Sequence, residues 1–195
     1  MTQKLILGSS SKYRQSLLKR LQIPFTTLTP DIDESQFPNE TPRSYIERIT
    51  KAKAHALTSQ LDDTSILITS DQCATFNGTI IGKPHTKEKA CEQLLNFSGK
   101  TVTFLTGLYT YSTHSHQSRY ILSEFKVTFR ELSACEIERY IDLESPLDCA
   151  GSFKCEGLGV TLFEKMEGED PTSLVGLPLI ETCKSLRQLG MNPLG

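Results

Sequence analysis

Lys4-Leu5-Ile6-Leu7-Gly8-Ser9-Ser10-Ser11-Lys12-Tyr13-Arg14-Gln15-Ser16-Leu17-Leu18 is the stretch from which the fold is read. Lys4 to Leu7 is a short apolar strand, Gly8 to Ser11 a polar turn, and Leu17, Leu18 and Leu21 form an apolar helical stripe. A second strand is predicted around Phe25 to Leu28, which completes a β–α–β opening. Much farther along, two long β-rich runs flank a polar turn holding His114 and His116, and should pair as an antiparallel ribbon. One β–α–β unit joined to such ribbons predicts a mixed α/β (α+β) fold and argues against a purely doubly wound sheet.

The elements between these landmarks carry their own signals. Pro30 to Pro42 is polar and proline-punctuated, hence a loop, and loops of that kind often carry function. Thr41-Pro42 has N-cap and N1 chemistry for a helix to about Leu61, with Ile46, Ile49, Leu57 and also Lys53 on one face. Ser65 to Ser70 reads as a strand whose end delivers Asp71. Asn77-Gly78 then marks a two-residue hairpin, which Gly82-Lys83-Pro84 closes. Thr86 caps a helix to about Phe97 with Gly99 placed to end it, and Ser133-Ala134-Cys135-Glu136 has capping-box spacing for a helix through Ile141. A last helix is expected from near Pro178 to Leu189. No repeat, low-complexity tract or flexible linker divides the chain, so residues 1–195 are expected to form a single domain with two lobes.

Composition narrows the function. With 195 residues, 21 Lys+Arg against 23 Asp+Glu and a net charge of −2, the chain has the balance of a globular protein and no global electrostatic reason to bind a nucleic-acid polymer, which usually calls for a basic face. Its apolar runs are far shorter than the ~20 residues of a membrane helix, and no cleavable signal is evident, so a cytoplasmic location without membrane contact is expected. The six cysteines form no CxxC pair and the four histidines no cluster, so no zinc ribbon or redox motif is signalled, and thiols outside any disulfide are expected.

Three places concentrate chemistry. Ser9, Ser11 and Arg14 surround a helix N-terminus, where unpaired N–H groups, hydroxyls and a forked cation suit a phosphate; a helix cap with a surface arginine gives the same pattern. Glu34, Lys53 and Asp71 form the second group. Two converging carboxylates can hold Mg²⁺ or Mn²⁺ and leave one free to take a proton from water, while a lysine in a core stripe needs a partner or must snorkel to solvent. Each carboxylate taken separately also suits a solvated or turn-capping role, and spacing alone does not show convergence. The third is Cys149 to Gly159, whose glycines permit close approach to a ligand or simply build a turn.

Taken in order, Leu7-Gly8-Ser9-Ser10-Ser11-Lys12-Tyr13-Arg14, Asp33-Glu34, Lys51-Ala52-Lys53-Ala54, Ser70-Asp71-Gln72, Gly82-Lys83-Pro84 and Leu174-Val175-Gly176-Leu177-Pro178 resemble the Maf family of nucleotide pyrophosphatases over essentially the whole chain. Ser70-Asp71-Gln72 and the Cys149 to Gly159 stretch look most like its YceF branch, whose members act on 7-methyl-GTP. Gly8 departs from the family's usual alanine, and Tyr13 stands where that branch commonly has tryptophan.

The resemblance implies a Maf/inosine-triphosphatase-like fold, an elongated mixed sheet with helices forming two lobes around a central cleft. It implies hydrolysis of a nucleoside triphosphate between the α and β phosphates, with Asp71 as proton acceptor. Ser9, Ser11, Arg14, Lys53 and Lys83 would hold phosphates, and Glu34 with Asp71 would lie near a divalent cation (Mg²⁺, Mn²⁺ or Co²⁺). Tyr13, Gln72 and Glu156 match the family's specificity positions. A 7-methylated guanine is positively charged, so the Tyr13 face could attract it by a cation–π contact of roughly 0.5–2 kcal/mol, while Glu156 accepts from the guanine edge. The sister activity on dTTP and UTP, and a non-catalytic nucleotide sensor regulating cell division, are the alternatives. A homodimer rests on the resemblance alone.

Overall fold

The structure, a computed structural model, describes residues 3–195. Strand β1 (Lys4–Gly8) passes through the polar turn into helix α1 (Lys12–Lys19) and returns as β2 (Phe25–Leu28). β1 pairs in parallel with both β2 and β3 (Ser65–Phe76). Both faces of β1 are covered, Leu5 and Leu7 by one apolar cluster and Ile6 by another, which is why these residues run without polar alternation and are all buried.

Seven strands make one sheet in the order β2-β1-β3-β5-β6-β7, where β5 is Thr101–Ser112, β6 is Ser118–Phe129 and β7 is Phe163–Gly168; β4 (Thr79–Ile81) pairs with β3 beside that path. The β3–β4 and β6–β7 pairs are antiparallel, so the sheet is mixed, as expected. Asn77 and Gly78 both take positive φ, of 50° and 78°, the geometry a two-residue turn needs to reverse β3 into β4. β5 and β6 are neighbours joined by the short turn bearing exposed His114 and His116.

Four further helices follow: α2 (Pro42–His55), α3 (Lys87–Phe97), α4 (Ala134–Glu144) and α5 (Leu179–Gln188). Thr41, Thr86 and Ser133 cap α2, α3 and α4 through their side chains, and the capping box of Ser133 and Glu136 is complete.

The chain divides into two compact units: one of the residues up to Gln72, Thr106–Ser123 and Asp170–Gly195, the other of Cys73–Leu105 and Glu124–Glu169. In the first, alternation along β1 decides the layers. Leu5 and Leu7 join Leu17, Leu18, Leu108, Leu179 and Leu186 on one face, whereas Ile6 joins Ala54, Leu57 and Leu67 on the other. The second unit is built on phenylalanines: Phe153 meets Phe104 at 5.3 Å and Phe163 at 4.8 Å between ring centroids, both edge to face.

Several expectations need correction. Helix α2 ends at His55, short of Leu61, because the Thr58 hydroxyl donates to the His55 carbonyl and a 3-10 turn (Thr58–Gln60) follows, with Leu57 still buried. β3 continues past Ser70 to Phe76, so Asp71 lies inside the strand and not beyond its end; pairing with β4 extends it. β7 and two 3-10 helices (Leu158–Leu162 and Pro171–Val175) are additional to the elements expected from the sequence, and β7 leaves all but Phe163 exposed.

Candidate active site

Ser11 is the N-cap of α1, its Oγ accepting the Arg14 backbone N–H, so the capping reading holds for that residue. Arg14 is not a surface arginine. Its Nε donates to the Gly176 carbonyl at 2.9 Å, its Nη1 to Ser9 Oγ at 3.4 Å, and its Nη2 lies 3.7 Å from Asp71 Oδ1. Ser9 is buried and its hydroxyl also accepts from the Ser11 N–H. The departure at Gly8 has a steric cause, since a Cβ there would stand 2.7 Å from both Leu57 Cδ1 and Thr69 Cγ2.

Lys53 does not snorkel. Only 6% exposed, it donates from Nζ to Asp71 Oδ1 at 2.6 Å, and Asp71 is itself 7% exposed. The same ammonium pairs with Glu34 Oε1 at 2.9 Å. Helix α2 shapes the loop that brings Glu34 there: the Tyr45 hydroxyl donates to the Glu34 carbonyl, and Arg48 donates to the Ser35 carbonyl and grips both oxygens of Glu40. The Arg48 guanidinium also covers the Phe37 ring at 3.8 Å. Within the loop, Asp33 accepts from the Ser35 N–H at 2.8 Å, and its bonds to Ser35 hold its carboxyl below the usual range. Hydrogen bonding to Arg48 likewise lowers Glu40. Glu34 thus points at Lys53 while its neighbour Asp33 closes the turn.

The residues flanking Asp71 on β3 engage a different partner. Ser70, fully buried, donates from Oγ toward the carbonyls of Gly107 at 2.7 Å and Gly176 at 2.8 Å. Gln72 Nε2 donates toward Ser173 O at 2.7 Å, Thr106 Oγ1 at 3.0 Å and Leu174 O at 3.1 Å. Its amide donors are therefore committed within the protein, and Oε1 can only accept. Tyr13 is half-buried in the first turn of α1.

Arg14, Glu34, Lys53 and Asp71 are therefore joined by direct contacts, with Ser9 and Ser11 at the same turn. Lys83 and Glu156 belong to the second unit, where both are exposed. There the Cys149 to Gly159 segment packs on itself. Gly159 N donates to the Lys154 carbonyl, and a Cβ on Gly159 would lie 2.3 Å from that oxygen, so the glycine serves a chain-to-chain approach. Burial pushes the Cys155 thiol up to about 12, which keeps it protonated and unreactive. No disulfide links the cysteines, and no group of three or more His, Cys, Asp or Glu suited to a metal occurs among the described residues. Glu34 with Asp71 is the carboxylate pair that meets on one cation. A separate cavity of about 260 Å³, lined by Thr110, Gln117, Arg119 and Ser185 among others, contains none of these residues. No helix among the described residues is long and apolar enough to cross a membrane.

Sequence reasoning missed Arg48, Tyr45, Ser70 and Gly176. Leu174 to Pro178 was visible as a motif, but nothing in its residue types indicated a backbone carbonyl as the working group.

Comparison with known proteins now bears on this constellation. The family described as Maf-like protein matches residues 4–189. A protein of Idiomarina loihiensis named 7-methyl-GTP pyrophosphatase is 49% identical over 195 residues, covering 100% of this chain and 98% of the relative. One of the same name from Pseudomonas aeruginosa is 50% identical over 187 residues, covering 96% and 97%. The solved structure of the Staphylococcus aureus Ham1 protein overlays at a TM-score of 0.46 and 14% identity, covering 65% of this chain and 72% of that one, too distant to bear on activity.

Proposed function

The chain belongs to the Maf family, and on that footing we propose that it is a nucleoside triphosphate pyrophosphatase that hydrolyses the α–β phosphate bond of 7-methyl-GTP to the monophosphate and pyrophosphate. The observation that carries the reading is the buried Asp71 carboxylate, held by Lys53 at 2.6 Å with Arg14 beside it and Glu34 on the same lysine. A carboxylate so held is a fixed proton acceptor next to two cations.

In this mechanism Asp71 takes the proton of the attacking water. The water oxygen bonds to Pα as the bond from Pα to the α–β bridging oxygen breaks, and that electron pair leaves with pyrophosphate. Arg14 presents a fork to phosphate oxygens, Lys53 a point charge, Ser9 and Ser11 the turn at the α1 N-terminus, and Lys83 a further cation. Glu34 and Asp71 suit a Mg²⁺-type cation, which typically uses one or two carboxylates together with substrate phosphates; when bound it would neutralise charge growing on the leaving group. Tyr13 would stack on the charged base and Glu156 accept from its edge, with Gln72 limited to an acceptor role. We take residues 1–195 as one Maf-like domain, acting in the cytoplasm and paired as a homodimer.

The test is a nucleotide panel with and without Mg²⁺, Mn²⁺ or Co²⁺, scoring products for the wild type and Asp71→Asn. The expected result is 7-methyl-GMP and pyrophosphate, dependent on cation, with turnover lowered by about 10²–10⁴-fold in Asp71→Asn while calorimetry still detects binding. Preference for UTP or dTTP would assign the sister activity; binding without turnover in the wild type would assign a sensor.

A further inference from the structure

Leu174 to Pro178 has no role in the mechanism above, yet it meets the site through one atom. The Gly176 carbonyl accepts from Arg14 Nε at 2.9 Å and lies 2.8 Å from Ser70 Oγ, whose single proton it shares with the Gly107 carbonyl at 2.7 Å. Gly176 has φ 109°, a backbone state that any side chain would strain, and a Cβ there would lie 3.4 Å from Arg14 Nε. Residue type, backbone state and hydrogen bonds at this position all bear on the same arginine.

The segment carrying this carbonyl is anchored at both ends. Asp170 opens the Pro171–Val175 turn by accepting from the Thr172 N–H at 3.0 Å, and its other oxygen accepts from the Ile180 N–H at 2.7 Å. At the far end, side chains meet the carbonyls: Thr106 and Gln72 meet Ser173 O, which also accepts the Gly176 N–H, while Gln72 meets Leu174 O and Ser70 and Arg14 meet Gly176 O. Ser70 and Gln72, either side of Asp71 in sequence, thus tie this turn to the strand that carries the proton acceptor.

The anchoring also orients the arginine. With Nε held by Gly176, the terminal nitrogens are the ones directed to Ser9 Oγ and Asp71 Oδ1. A lysine at this position could not make the Nε contact and present a fork together. We propose that Ser70 and the Gly176 carbonyl are positioning residues that aim the Arg14 guanidinium for phosphate binding beside Asp71. This rests on the reading of Arg14 as a phosphate holder.

A double-mutant cycle on 7-methyl-GTP hydrolysis tests it, with thermal melting of each variant as a control. Ser70→Ala is expected to lower kcat about tenfold with KM within about twofold, since a small misplacement of a positioning group acts on the reacting geometry. Arg14→Lys should lower kcat by more. In the Arg14→Lys background Ser70→Ala should cost no more than about twofold further, because the atom it aims is gone. Gly176→Ala provides a second route to the same coupling if Ser70→Ala folds poorly. Equal fold losses in both backgrounds, or a lowered melting temperature with kcat of the folded enzyme unchanged, would overturn the inference while leaving the pyrophosphatase reading intact. Full activity in Arg14→Lys would instead remove Arg14 from the mechanism, and the inference with it.

Discussion

The Gly8 to Arg14 turn of the first unit and the Cys149 to Gly159 segment of the second are both short and glycine-bearing, each with a lysine or arginine. Their internal chemistry differs. In the first, Arg14 and Lys53 converge on a buried carboxylate. In the second, polar groups close on the chain itself: Lys154 Nζ donates to the Glu144 carbonyl at 2.9 Å, and the Glu144 carboxylate accepts the Leu158 N–H at 2.7 Å. The lesson is that a ligand cradle is distinguished by charge held in place with its functional atoms turned toward a common point, and glycine content alone does not provide that.

Three variations would break or sharpen this contrast. The largest effect is expected from Lys53→Met. Breaking a buried ion pair typically costs about 3–5 kcal/mol, and the value here should lie near the low end because Arg14 stands 3.7 Å from the stranded Asp71 and the Glu34 side chain is 52% exposed. Urea denaturation should show that loss together with loss of turnover; an unchanged midpoint would mean that the ammonium is solvated and the site is not preorganised. Gly159→Ala addresses the other region. Overpacking against the Lys154 carbonyl should cost about 1–3 kcal/mol with turnover per folded molecule retained. Lost turnover at unchanged stability would show that the segment approaches the ligand after all.

Acid is expected to have the smallest effect, and to act on both units alike. Asp62 in the first is held to about 2 by Lys4 and Ser65, and Glu136 in the second to about 2 by the Ser133 N–H, Arg130 and the Ser133 hydroxyl. Because the folded values lie below the unfolded ones near 4, this stabilisation is present above about pH 4 and is lost as pH falls toward 2. Melting temperatures followed through that window should fall smoothly. Asp62→Asn and Glu136→Gln should each reduce the fall, and an unchanged profile in either would remove that acid from the account.

How legible the protein was follows from range. The Thr41, Thr86 and Ser133 caps, the Asn77-Gly78 turn and the β–α–β opening depend on residues within a few positions of one another, and the structure has them all. The end of α2 was misplaced because a single hydroxyl, Thr58, competes for the His55 carbonyl, and an amphipathic stripe cannot show that competition. β3 outran its apolar segment because it gains pairing from β4, a partner contributed later in the chain.

The sequence by itself determined the mixed fold class, the capped helices and the residue types of the site, since local periodicity and side-chain chemistry suffice for those, and its ordered motifs carried the family resemblance. Only the tertiary structure decided that Lys53 is buried against Asp71, that Arg48 and Tyr45 shape the loop bringing in Glu34, and that a backbone carbonyl at Gly176 holds Arg14. Those contacts join groups from about 10 to more than 100 residues apart through hydrogen bonds a few ångströms long. Their direction depends on how strands and helices pack, which no spacing along the chain encodes.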